Sequence, residues 1–453
     1  MVKLTFFGGV NEIGGNKILL EDKGTRVFFD FGLSFAGEAQ YFCGYLCARS
    51  VNGAGDYLEF GLLPNLEGLY AKEMIKNTGI KYEKPLFDAI ILSHAHIDHI
   101  GYLPFIHEEI PVYCGECTKT IIDAMQESGR IDLGEHNYHT FRTGKKIAVG
   151  TLEIEPIHVD HSIPGAYGFI INTSSGAIVY TGDLRLHGPV SQMTNDFAES
   201  AAEHEPIAMI SEGTRICPTE ERTVFNSEAE VKTKCNEVVA DASNLVIATF
   251  YSRDVDRLRT LYEVAKENDR KFVIPLKKAH LLSMLRNDPR LEIPDIQKDD
   301  TIVFYMKRKK TGEYLETDYY KWERPFLTKA VTYDYIRKNQ SKVLLNLDLT
   351  EFTELIDIKP SSGGYFIHSM SEPFSEEDIN KEVMHRWLKH FGLKFHQIPV
   401  SYTHLRAHET VLVNKIKPKQ IVPVHTEYPQ IFQQLFKNIE TVIPQKGKVL
   451  TIN

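Results

Sequence analysis

The sequence predicts an α/β protein in which one α/β domain is inserted into another. Two changes of pattern carry that prediction. Residues up to about 210 read as short strands punctuated by glycine: Val2–Phe7, Lys17–Leu20, Arg26–Phe29, Ala89–Leu92, Leu152–Pro156, Tyr167–Ile171 and Ala177–Tyr180, with helical periodicity over Lys119–Ser128. From Ser227 the pattern changes. Ser227–Ala242 is amphipathic with Ser227 as its N-cap, Leu245–Phe250 reads as a buried strand, Arg253–Glu267 as a helix and Lys271–Pro275 as a strand. Alternation of this kind builds a parallel sheet covered by helices. Asp288–Arg324 is polar, charged and contains proline, as expected of a mobile surface segment. After Tyr365 the short strands return and end in Gln420–His425 and Lys448–Ile452. The expected division is therefore 1–213, an insert over 214–365, and a return of the first domain over 366–453.

Composition limits the function classes. The 453 residues hold 52 Lys and Arg against 61 Asp and Glu, with 25% charged and 42% hydrophobic positions. Such a chain folds around cores large enough to need no disulfides. No apolar run approaches the roughly 18 residues needed to span a bilayer. Met1–Val10 lacks the basic-then-apolar pattern of a secretory signal, so a cytoplasmic protein without membrane contact is expected. Six cysteines in a chain of this length make no disulfide framework. Cys114 and Cys117 form a lone Cys-x-x-Cys and read as reduced, buried thiols. The net charge of −9 argues mildly against nucleic acid, but Tyr251–Leu345 carries 21 Lys and Arg against 15 Asp and Glu. Its densest cluster is Lys307–Lys310. A run of four cations is ordinarily a solvated turn, whereas the regional asymmetry suits a face that tracks phosphates.

The chemistry is concentrated in His94-Ala95-His96-Ile97-Asp98-His99, directly after the apolar run Ala89–Leu92. Side chains at i and i+2 of an extended segment point the same way, so His94 and His96 can grip one cation. A turn into helix would swing Asp98 and His99 toward a second position. Imidazole with carboxylate suits zinc, with manganese as the alternative. Further ligand types follow other strands: His158, Asp160 and His161 after one, Asp183 after another, His425 after a third. An anionic Asp183 could bridge two cations about 3.5–4 Å apart.

His94–His99 resembles the His-x-His-x-Asp-His signature of the metallo-β-lactamase superfamily. The remainder is similar to the β-CASP nucleases and, among them, to ribonuclease J: the opening Gly-Gly-Val-Asn-Glu-Ile-Gly-Gly, Thr181–Gly188, Ile210–Arg215 with Glu212, Thr249–Arg257, and Ile416–Glu427 with its Pro-Val-His-Thr-Glu. The likeness spans nearly the whole chain. It implies a metallo-β-lactamase αββα sandwich with an inserted α/β β-CASP domain. One metal would be held by His94, His96 and His161, the other by Asp98, His99 and His425, with Asp183 bridging. His161 is preferred over His158 because the Ser-x-Pro-Gly that follows matches the family. Glu212 would hydrogen-bond and orient neighbouring histidines. The family also carries a Ser-Gly-His upstream of its last ligand, whose histidine contacts the scissile phosphate. In the corresponding Val400–Thr410, Ser401 fits, glycine is missing and His404 comes one position late. This stretch also resembles translated sequencing-adapter read-through, which would impair the chain. His404 is the first candidate for the phosphate contact, with His408 behind it.

The resemblance implies a metal-dependent ribonuclease acting on single-stranded RNA, 5′-to-3′ and also internally. Asp98 would orient the nucleophile as well as bind metal. Two other readings stay open: a hydrolase of the same fold acting on DNA or a small ester, and a catalytically impaired RNA-binding subunit. Ribonuclease J proteins often carry a further C-terminal domain that helps them dimerise. This chain ends soon after His425, so a homo-oligomer is neither required nor excluded.

Overall fold

A computed structural model describes residues 1–452 apart from 130, 215, 217, 219–226, 371–378 and 399–405. The chain forms two compact units: Met1–Gln126 with Ile131–Glu221 and Thr403–Asn453, and Glu127–Arg130 with Arg222–Tyr402. Among the described residues no helix is long and apolar enough to cross a membrane.

The first unit is built on two sheets. One runs in the order Val449–Ile452, Val2–Gly8, Lys17–Asp22, Thr25–Phe29, Ala89–Ile91, Val112–Gly115, Tyr138–Phe141. The other runs Glu440–Thr441, Gln420–Val424, Ala208–Glu212, Ala177–Tyr180, Tyr167–Asn172, Leu152–His158, Ile147–Val149. Strand alternation sends Val2, Leu4, Phe6, Val27 and Phe29 to one face, where they pack with Phe169, Ile171, Ile178, Tyr180 and Val422 of the other sheet. The Phe29 ring lies 5.7 Å from Phe169 and 5.9 Å from Tyr180. The outer face of the second sheet buries Ile170, Val179, Met209 and Ile421 beneath helices Gln192–Glu203, Arg406–Ile416 and Pro429–Leu435 through Phe197, Leu412, Val413 and Phe432. Helix Glu116–Glu127 links the parallel strands Val112–Gly115 and Tyr138–Phe141 and buries Ile121, Ile122 and Met125. With the inner face of the first sheet taken, that helix must cover its outer face. The result is the αββα sandwich, a metallo-β-lactamase fold.

The second unit is a seven-stranded sheet in the order Ala330–Val331, Ile302–Tyr305, Lys271–Pro275, Val343–Asn346, Val246–Thr249, Tyr365–His368, Lys394–Gln397. Every neighbouring pair is parallel. Helices Glu228–Asp241, Val255–Glu267 and Leu276–Leu285 cover one face, and Tyr333–Lys338, Glu354–Ile358 and Ile379–His390 the other.

Two expectations are corrected here. The return to the first unit falls near residue 403, not at 366. Tyr365–His368 pairs with Val246–Thr249 inside the second sheet, and Lys394–Gln397 extends its edge. His368 accordingly lies on that sheet and not at a junction. A four-residue buried strand looks the same in either sheet, so local pattern could not assign it. Asp288–Arg324 is not simply a surface segment, because Ile302–Tyr305 is a wholly buried strand within it. Its apolar run, between Thr301 and Met306, is too short to outweigh the charges around it.

The basic cluster turns out to be largely neutralised. Lys307 pairs with Glu351, Arg308 with Asp357 at 2.8 Å, and Lys309 with Glu323. Cys114, Cys117 and Cys235 are buried and, among the described residues, form no disulfide. Burial pushes the Cys114 and Cys235 thiols up to about 12, which makes them poor nucleophiles.

Candidate metal centre

Strand Ala89–Ile91 is wholly buried between two parallel neighbours, which explains its unbroken apolar run. The chain stays extended through His96 (φ −75°, ψ 149°), which caps the single helical turn Ile97–Ile100. That geometry separates the signature into His94 with His96, and Asp98 with His99. Three other loops supply the rest: His161 follows strand Leu152–His158, Asp183 follows Ala177–Tyr180, and His425 follows Gln420–Val424. His425 itself sits in the left-handed region (φ 53°), an uncommon backbone for histidine.

The seven side chains fall into two groups, His94–His96–His161 and Asp98–His99–Asp183–His425. Within each, one donor atom per residue lies within 4.8 Å of all the others. In the first group His94 Nε2 is 2.9 Å and His161 Nε2 3.1 Å from His96 Nδ1. In the second, His425 Nε2 is 3.0 Å from Asp98 Oδ2. Asp183 Oδ2 faces both, at 3.3 Å from His99 Nε2, 3.6 Å from His425 Nε2 and 3.9 Å from His94 Nε2. Asp183 Oδ1 and His99 Nε2 are buried without a hydrogen-bond partner. Such atoms are costly unless something else engages them, and a divalent cation fits a donor set of this kind. Burial and neighbouring imidazoles hold His94 and His161 well below the usual histidine range, in the neutral form that ligates.

Around the groups stands a layer of residues that fixes their direction. Asp30, which follows strand Thr25–Phe29, is wholly buried and takes four hydrogen bonds. They come from Ser93 N (2.7 Å), Ser93 Oγ (2.8 Å), His99 Nδ1 (2.7 Å) and Tyr180 Oη (2.6 Å). By accepting from Nδ1 it leaves His99 Nε2 free to face Asp98 and Asp183. Sequence reasoning missed Asp30. The available signal was a lone carboxylate at the end of Val-Phe-Phe-Asp-Phe. Glu212 also differs from expectation, since among the described residues its carboxylate hydrogen-bonds no imidazole. It accepts from Leu184 N at 3.1 Å and from Thr214 Oγ at 2.7 Å, and Thr214 Oγ lies 2.8 Å from His425 Nδ1. Its influence on His425 therefore passes through Thr214. His158 is excluded from both groups and contacts Thr143 Oγ at 3.0 Å. His404 lies outside the described residues.

Glycines allow the close approach. A Cβ on Gly14 (φ 82°) would fall 2.7 Å from Asp98 Cβ, and one on Gly32 only 1.6 Å from Asp98 O. The same loop buries Lys17, whose Nζ donates to Gly15 O and Gly32 O, both at 2.8 Å. Burial lowers the Lys17 pKa to about 7, from 10.5. The folded state thus releases this proton first. The penalty is full below pH 7 and fades as pH rises from 7 toward 10.5. Wild type is expected to gain stability against Lys17→Met over that interval in urea unfolding, and parallel pH profiles would refute it.

Beside His161, Asp160 is wholly buried and its Oδ1 accepts from Arg185 Nε at 2.8 Å. Asp160→Ala strands a buried guanidinium, so a loss of about 3–5 kcal/mol is expected by urea unfolding. A loss below 1 kcal/mol would mean that this pair is already solvated.

Known proteins resemble this chain over part or nearly all of its length. Residues 71–221 match the family model described as the beta-lactamase superfamily domain. The ribonuclease J of Helicobacter pylori (strain J99 / ATCC 700824) is 23% identical over 462 residues, covering 98% of this chain and 59% of that protein. The ribonuclease J of Mycoplasma pneumoniae is also 23% identical, over 96% of this chain and 69% of its own length. The chain thus spans about three-fifths of the first of these relatives. A crystal structure titled as a protein of unknown function from Enterococcus faecalis V583 superposes with a TM-score of 0.76 at 22% identity, covering 99% of both chains. Residues 71–221 thus resemble the beta-lactamase superfamily domain, and the near-full-length likeness to ribonuclease J proteins supports a ribonuclease J-like, β-CASP-type assignment within the metallo-β-lactamase superfamily.

Proposed function

We propose that the protein is a metal-dependent ribonuclease that hydrolyses the phosphodiester bonds of single-stranded RNA, 5′-to-3′ and also at internal positions. The observation that carries this reading is the pair of ligand groups, with Asp183 Oδ2 in the second standing 3.9 Å from His94 Nε2 of the first. His94, His96 and His161 would hold one divalent ion, Asp98, His99 and His425 a second, with Asp183 between them and zinc the first choice. When bound, such ions acidify water and neutralise charge developing on phosphate oxygens. The residues do the positioning. His94 and His161 remain neutral, Asp30 aims His99, Thr214 aims His425, and Gly14 leaves the Asp98 carboxylate room to orient the attacking nucleophile. RNA is preferred as substrate because relatives named ribonuclease J match across nearly the whole chain.

The test is cleavage of single-stranded RNA carrying a 5′-monophosphate, labelled at either end, with Zn²⁺ or Mn²⁺, beside DNA of equal sequence. Mononucleotides from the 5′ end, absent in an Asp98→Ala/His99→Ala variant, are expected. Cutting of DNA alone would overturn the substrate. The departure from Ser-Gly-His in Val400–Thr410 favours one second reading, an RNA-binding subunit with little turnover. Tight RNA binding with bound metal and no cleavage would establish it.

A further inference from the structure

Asp183 and His99 belong to opposite sheets of the sandwich. Asp183 follows strand Ala177–Tyr180 of one, and the loop bearing His99 follows Ala89–Ile91 of the other. Their donor atoms stand 3.3 Å apart, so something must hold the two strand ends in register. Beside the backbone bond from Tyr167 N to Ser93 O at 3.0 Å, a side chain crosses between the sheets at this point. Tyr180, three residues before Asp183 and wholly buried, donates from Oη to Asp30 Oδ2 at 2.6 Å. The same Oδ2 accepts from His99 Nδ1 at 2.7 Å. Tyr180 Oη in turn accepts from Asn16 Nδ2 at 3.3 Å. Asn16 also reaches the ligand turn through its backbone: Asn16 N donates to Asp98 O at 3.1 Å, and Asn16 O accepts from Gly32 N at 2.9 Å.

We propose that Tyr180, buttressed by Asn16, is a positioning residue whose hydroxyl braces the two sheets through Asp30 and so sets the spacing of Asp183 and His99 for the second ion. The inference rests on the metal-centre reading above. Three donors converge on Asp30 Oδ2, and two of them, Ser93 Oγ and His99 Nδ1, come from one loop. Tyr180 alone among them comes from the opposite sheet, so its loss frees the Asp30 carboxylate to turn with that loop. Groups that orient a ligand from behind typically change metal affinity by about 10–100-fold.

The experiment is Co²⁺ titration of metal-free wild type, Tyr180→Phe and Asn16→Ala, followed by visible absorption and chelator competition. Tyr180→Phe keeps the ring among Phe29 and Phe169 and removes one oxygen, so circular dichroism is expected to be unchanged. Wild type is expected to take two ions. In Tyr180→Phe one should bind as before and the other about tenfold more weakly, with a shifted spectrum. Asn16→Ala is expected to shift the same ion less, and it carries the test alone if Tyr180→Phe does not fold. Two ions bound with unchanged affinity and spectrum in both variants would overturn the brace. Wild type binding no ion would instead overturn the metal centre itself.

Discussion

Asp183→Asn is expected to lower RNA cleavage by about a thousandfold or more and to leave the protein with at most one bound ion. The substitution hardly changes shape, so the effect isolates charge. Asp183 Oδ2 lies within 3.9 Å of three imidazole nitrogens drawn from both ligand groups. A carboxylate in that place can neutralise part of two cations while the imidazole nitrogens keep their lone pairs for them. An amide offers one neutral oxygen and turns an NH₂ toward nitrogens that must keep their lone pairs. Asp98→Ala/His99→Ala supplies the contrast, since it strikes the second group and leaves His94, His96 and His161 intact. Metal content by mass spectrometry, read beside cleavage of end-labelled RNA, separates the two variants. Retention of two ions with a rate within tenfold of wild type would remove Asp183 from the bridging position.

How far the site was legible before any fold was known depended on how local each signal was. His94, His96, Asp98 and His99 stand within six positions at a strand end, and alternation followed by a turn already divides them as the structure does. His161, Asp183 and His425 each follow a short apolar run, yet only the family likeness placed them beside the first four. Asp30 and Tyr180 carried no such mark. Asp30 is a single polar group just after an apolar strand and Tyr180 one at the end of another, and their partners lie 69 and 150 residues away in sequence. The parallel α/β character of the second unit was readable because helix and strand periods alternate over long stretches. Its far boundary was not, because Tyr365–His368 could serve either sheet until pairing with Val246–Thr249 decided it. Lys307–Lys310 illustrates the opposite error of reading too much. Four cations in a row suggest a phosphate face, but Glu351, Asp357 and Glu323 come from distant positions to pair with three of them.

Tyr402→Gly/Thr403→His is expected to raise RNA cleavage by about a hundredfold, because it writes a Ser-Gly-His run starting at Ser401, where the family likeness requires one. A donor aimed at charge that appears only in the transition state is worth roughly 10²–10³ in rate. Binding of substrate in the ground state should change far less, so the gain belongs in kcat and not in KM. The segment lies outside the described residues, but helix Arg406–Ile416 directly after it is anchored through Leu412, Val413 and Ile416 against the second sheet of the sandwich. His404→Ala in the unaltered chain supplies the complement. If His404 already serves the phosphate from its late position, its removal lowers kcat by a similar factor and the designed pair adds little. If it does not serve, His404→Ala is silent and the designed pair restores activity. Metal content should stay at the wild-type level throughout, because both ligand groups are formed by described residues outside this segment. A chain that binds two ions, carries the restored run and still leaves RNA uncut would count against the ribonuclease reading itself, since its ligands and its phosphate contact would then both be in place.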